Sequence, residues 1–176
     1  MQRGAAGFLA RALIFCSLVL SGCSAEARPN EDQGGVGVTT TQKAILEDKA
    51  LAADIRVINV SGGATNYVFA VEIESPDTGC DQYADWWEVL NEKGELLYRR
   101  ILLHSHVDEQ PFTRSGGPVV VGASDVLIVR AHLHPDGYGG VAFKGSVEQG
   151  FREYVLNPDF ADEVEMLDPQ PDGCAF

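Results

Sequence analysis

No apolar run in this 176-residue chain approaches the roughly 20 residues that a membrane-spanning helix needs, which excludes a helical span. Basic residues are scarce. Thirteen Lys and Arg stand against 26 Asp and Glu, a formal charge of -13 that repels nucleic acid and offers no patch to anionic lipid headgroups. The four cysteines include no Cys-x-x-Cys spacing, which excludes a local dithiol redox motif. A Gly-x-Ser-x-Gly elbow, a P-loop and a dinucleotide fingerprint are also missing, so motifs give no case for hydrolase, nucleotidase or Rossmann chemistry. The chain is expected not to be an enzyme.

What is present begins with an address. Arg3 and Arg11 precede an apolar stretch from Ala12 to Leu20, and small residues then lead to a cysteine, the layout of an export signal. The ending Leu20-Ser21-Gly22-Cys23 resembles the lipobox of bacterial lipoproteins. That resemblance implies cleavage before Cys23 and acylation of Cys23, so residues 1–22 are the signal peptide and the mature chain is anchored to a membrane by lipid. By the sorting habit of proteobacterial lipoproteins, Ser24 implies outer-membrane delivery facing the periplasm. Processing removes Arg3 and Arg11 but no acidic residue, which takes the charge to -15 and leaves attachment to the acyl chains. Cys16 departs with the signal and Cys23 is consumed by lipid. Cys80 and Cys174 remain in an oxidising compartment and are expected to be bonded, closing a loop of about 94 residues.

Residues 23–41 are rich in Gly and polar residues and lack aromatics, the composition of a flexible tether reaching about 25 Å. The run 42–53 (QKAILEDKALAA) is built of helix formers and predicts a short helix. From residue 54 to 150 the pattern becomes short alternating runs between turn residues, an all-β signature. Seven strands are predicted: 55–60, 67–74, 85–90, 96–107, 118–121, 126–134 and 141–147. Residues 151–176 form an acidic segment that a Cys80 to Cys174 bond would staple to the body. The layout resembles a single antiparallel β-sandwich of the immunoglobulin or fibronectin type III class. In the third strand, one ring of the adjacent pair Trp86-Trp87 must face the core and the other face away.

All four histidines fall in two His-x-His pairs, His104-Ser105-His106 and His132-Leu133-His134. On strands, each pair would present two imidazoles on one face. Leu97, Ile101, Leu103 and Val107 make the apolar set of one strand, and Leu127, Val129, Ala131 and Leu133 that of the other, so both pairs are expected to face outward at one edge of the sheet. Two readings follow. The histidines either continue solvated faces with Arg100 and Arg130, or converge on one Cu(II) or Zn(II) with Asp108, Glu109 or Asp136 nearby. His104-x-His106-x-Asp108 also overlaps the His-x-His-x-Asp-His motif of metallo-β-lactamases, but Glu109 stands where that family has histidine. Trp86 and Trp87, with Tyr83 and Tyr138, form a candidate platform for sugar or peptide; core packing is the alternative. The function expected is non-catalytic binding or scaffolding in the cell envelope, for an envelope protein or small ligand that the sequence does not name. The Cu/Zn site and the tryptophan platform are the rival readings.

Overall fold

A computed structural model describes residues 51–157 and 159–175. The signal peptide, Cys23, the tether and residues 42–50 of the predicted helix lie outside the described residues; Leu51 to Ala53 form a turn entering the first strand. Eight strands follow: β1 (Asp54–Gly63), β2 (Asn66–Glu74), β3 (Tyr83–Asn91), β4 (Leu96–Ile101), β5 (Phe112–Val119), β6 (Leu127–His134), β7 (Ala142–Ser146) and β8 (Gly150–Tyr154). They form an all-β sandwich of two antiparallel sheets, ordered β1-β2-β5 and β4-β3-β6-β7-β8. In constant-type immunoglobulin domains the fourth strand lies with the first sheet. Here β4 pairs with β3, so the smaller sheet keeps three strands.

The alternation seen in the sequence builds the interior. Tyr67, Phe69, Val71 and Ile73 share one face of β2 and pack against Trp87, Val89, Val129, Ala131 and Leu133 of the facing sheet. Each such side chain contributes about 1.5–3 kcal/mol by leaving water. Trp87 lies in this inter-sheet core, whereas Trp86 points to the opposite face.

Three expected boundaries change. The fourth strand stops at Ile101 and does not run on to residue 107, because the buried Asp77 carboxylate captures the following loop. Asp77 Oδ2 accepts the His106 backbone N–H at 2.7 Å, while Oδ1 accepts from Ser75 Oγ at 2.6 Å and the Ala84 N–H at 3.0 Å. The fifth strand is Phe112–Val119, although Gly116-Gly117 reads as a turn. Gly116 is needed for close packing: a Cβ there would fall 2.6 Å from Tyr98 Oη and 2.9 Å from Trp87 Cζ2. The sheet also continues past residue 150, since β8 pairs along β7 from Gly150 to Tyr154.

After β8 the chain turns back over the outer face of the five-stranded sheet as a strap containing one short 3-10 helix (Asp162–Met166). Leu156, Phe160, Ala161 and Val164 of the strap meet Leu90, Ile128 and Leu96 of the sheet in a second apolar cluster. This sheet is therefore covered on both faces, and all of β3 but Asn91 is buried. The far end of the strap is held by the disulfide between Cys80 and Cys174, whose Cα atoms are 5.5 Å apart across 94 residues of sequence.

Chain-entropy theory sets a ceiling of about 4.6 kcal/mol on a cross-link of this length. Replacing both Cys80 and Cys174 with Ser should lower the unfolding free energy in urea by about 2–4 kcal/mol. A variant as stable as the parent would show that the strap is held entirely by its noncovalent contacts.

Candidate functional site beneath the C-terminal strap

Pairing places Glu88 of β3 opposite Arg99 of β4 on one side and Arg130 of β6 on the other. Glu88 is fully buried. Its Oε2 accepts from Arg99 Nε at 2.9 Å and Nη2 at 2.8 Å, and its Oε1 accepts from Arg130 Nε at 2.8 Å. The remaining guanidinium donors turn to the strap. Arg99 donates to the carbonyls of Val164 (2.6 Å), Leu167 (2.6 Å) and Pro169 (3.2 Å), and Arg130 to those of Phe160 (2.7 Å) and Ala161 (2.9 Å). Buried charge is tolerated where hydrogen bonds satisfy it, and here the carbonyls come from a short helical segment and its flanks. Arg99 lies 4.5 Å over the Trp86 ring and Arg130 3.5 Å over that of Tyr138, adding cation–π contact. Burial, with the Glu88 charge second, drives the Tyr138 phenol above its usual pKa.

His132 lies two residue pairs along the ladder from Arg130, on the same face and opposite Trp86. Its ring stacks on the Trp86 indole at 3.7 Å, and its Nδ1 is 2.6 Å from Asp85 Oδ1. Asp85 is only 2 % exposed. Nδ1 of His132 is thus engaged by the Asp85 carboxyl group. Nε2 is buried without a hydrogen-bond partner and points toward Glu165 of the strap, whose Oε1 is 3.6 Å away.

The outward arrangement of both histidine pairs is overturned for one member of each. His106 and His132 are each 3 % exposed, while His104 and His134 are exposed. The reason for His132 is the strap, which converts an outward face into an interior. His106 lies in the loop after β4, not on a strand, and stacks on Phe112 at 3.7 Å with both ring nitrogens unpartnered. Burial, followed by the Arg114 and His104 charges, lowers its pKa from 6.5. Each candidate carboxylate has a separate setting. Asp108 is exposed, Glu109 pairs with Arg114 at 2.8 Å and is held below the usual carboxylate range by that bond, and Asp136 accepts from Gln82 at 3.2 Å. Among the described residues no three His, Cys, Asp or Glu side chains are grouped to hold a metal ion, so the four imidazoles do not converge.

The tryptophan platform is likewise corrected. Trp86 is 3 % and Trp87 0 % exposed, one beneath the strap and one between the sheets. Tyr83 is buried as well, and desolvation raises its pKa. Tyr138 Oη accepts from Trp86 Nε1 at 3.3 Å. The described residues contain no α-helix. Sequence reasoning missed Asp77, Asp85, Glu88, Arg99 and Glu165 as site residues. The available signal was Glu88 itself, a charge inside Tyr83–Asn91, a strand otherwise rich in aromatic and apolar residues.

No family model matches the chain. A protein of Halomicrobium mukohataei described as "Putative lipoprotein" is 36% identical over 132 residues, covering 66% of this chain and 65% of the relative. The chain thus matches just under two thirds of that relative's length. The similarity supports a lipoprotein. Among solved structures, a superoxide reductase (neelaredoxin) from Ignicoccus hospitalis aligns over 65% of this chain and 87% of its own at 14% identity and a TM-score of 0.34, too low to carry an argument.

Two outcomes test this site. Glu88→Ala leaves two buried guanidinium groups without their counterion and should reduce unfolding free energy by about 3–5 kcal/mol, read from urea melts. A loss under about 1 kcal/mol would contradict the central role of this carboxylate. For His106, the folded pKa is depressed, so folding disfavours the protonated form. Its contribution is complete above about pH 6.5 and is lost as pH falls from there toward the folded value. The stability of the parent relative to His106→Leu should therefore decrease between about pH 7.5 and pH 5; a difference constant with pH would mean that the imidazole titrates as if in water.

Proposed function

We propose that this chain is an envelope lipoprotein, anchored by acylated Cys23, whose sandwich works by binding or scaffolding and not by catalysis. The lipobox-like ending Leu20-Ser21-Gly22-Cys23 carries the reading, and the similarity to a protein described as a lipoprotein supports it. The state of the polar groups favours a non-catalytic domain. Glu88, Arg99, Arg130 and Asp77, the buried charges best suited to chemistry, are saturated by one another and by backbone groups. A general acid, base or oxyanion donor needs capacity left for substrate.

The charge of the mature chain directs the choice of partner toward envelope proteins or small ligands and away from nucleic acid. Ser24 favours outer-membrane delivery, facing the periplasm, in hosts that possess an outer membrane. Cys23→Ser should abolish incorporation of a labelled lipid precursor and release the protein from the membrane fraction. Retention of both label and membrane association in the variant would refute the anchor.

A further inference from the structure

His132 Nε2 and Glu165 Oε1 face each other at 3.6 Å, Nε2 is buried without a hydrogen-bond partner, and Nδ1 is engaged by Asp85. An imidazole lone pair and a carboxylate oxygen at this distance repel unless a cation lies between them. The His132 side chain is 4 % exposed and its Nε2 has no partner, whereas the Glu165 side chain is 45 % exposed. A cation held here would thus have a buried nitrogen ligand on one side and access to water on the other. We propose that His132 and Glu165 bind a divalent transition-metal ion of the zinc type, with Asp85 as the positioning residue.

Three features favour a metal ion. First, ligands about 2.1 Å from a tetrahedral zinc are about 3.4 Å apart, close to the separation observed. Second, the carboxylate–histidine pair matches the arrangement in which an outer carboxylate fixes the tautomer and raises the basicity of a metal-bound imidazole. Third, His132 cannot rotate freely to find another partner, because it lies between the stacked Trp86 indole and the edge of Tyr138, 4.9 Å away. His106 lacks this arrangement. Its Nδ1 is 3.9 Å from an Asp77 carboxylate already accepting hydrogen bonds from Ser75, Ala84 and the His106 backbone. With only two protein ligands, water completes the coordination and the site is weaker than a four-ligand structural zinc site. Its consequence is mechanical: the ion ties the strap to β6 at a second point, nine residues before Cys174.

The test uses the full-length protein in detergent micelles, titrated with Zn(II) and followed by calorimetry and long-range 1H–15N spectra of the histidines. One equivalent should bind, displacing the His132 Nε2 resonance while Nδ1 keeps its proton. Glu165→Gln, at a half-exposed position that should leave the fold intact, should weaken binding at least tenfold. Asp85→Asn should weaken it by about 10–100-fold, the effect expected of an outer-sphere partner. His104→Ala should leave it unchanged. The proposal fails if Zn(II) at about 1 mM does not bind, if Glu165→Gln binds as the parent does, or if Zn(II) shifts His104 and His106 and leaves His132 alone. It also fails if the His132 signals respond to pH alone, because a proton would then be the bridging cation.

Discussion

A single carboxylate organises the five-stranded sheet. Glu88 sits in the middle of β3 with a guanidinium opposite it on each neighbouring strand, and all three charges are removed from water. Such a row fixes register. A shift of one residue in either pairing would bury an arginine against apolar partners and leave the carboxylate uncompensated. Because one carboxylate cannot satisfy two guanidinium groups, their outer donors require further acceptors. The strap supplies these as five backbone carbonyls. The ion network thus explains why an acidic, Pro-containing C-terminal segment follows a defined path over the sheet.

The strap also changes the standing of the face it covers. An outer sheet face of alternating polar residues normally meets water. Here Trp86, Glu88, Arg99, Arg130 and His132 are an interior, sealed by Leu156, Phe160, Ala161 and Val164 and closed at the far end by the disulfide. The acidic side chains of the strap remain largely at its surface while its carbonyls face inward. This division lets a strongly negative segment dock on buried arginines through backbone dipoles, with its carboxylates solvated.

The alternation of Tyr67, Phe69, Val71 and Ile73 made β2 legible, and the same period identified most of β1, β3, β6 and β7. Gly116-Gly117 hid β5, because in isolation a glycine pair signals a turn, whereas here Gly116 admits Tyr98 and Trp87. β8 was missed because its alternation is weak in the short run Gly150–Tyr154 and its support comes from β7. At the candidate site, the opposed faces of Trp86 and Trp87 followed from strand parity. The burial of both did not, since parity assigns a face and says nothing of what lies over it.

The sandwich class was legible in the sequence alone, because strand alternation is a local consequence of the two-residue pleat, and the lipobox-like ending Leu20-Ser21-Gly22-Cys23 is a linear motif that needs no tertiary structure to be read. The pairing of Cys80 with Cys174 was legible for a related reason: with Cys16 and Cys23 assigned to the lipobox-like leader, elimination left no other thiols. Only tertiary structure decided that Glu88 would join Arg99 to Arg130, that His132 would be held between Asp85 and Glu165, and that the two histidine pairs would not meet. Those contacts span between 11 and 47 residues within the sheet and reach 70 residues to the strap. They depend on which strands become neighbours and on a return path of the chain, and no local periodicity encodes either.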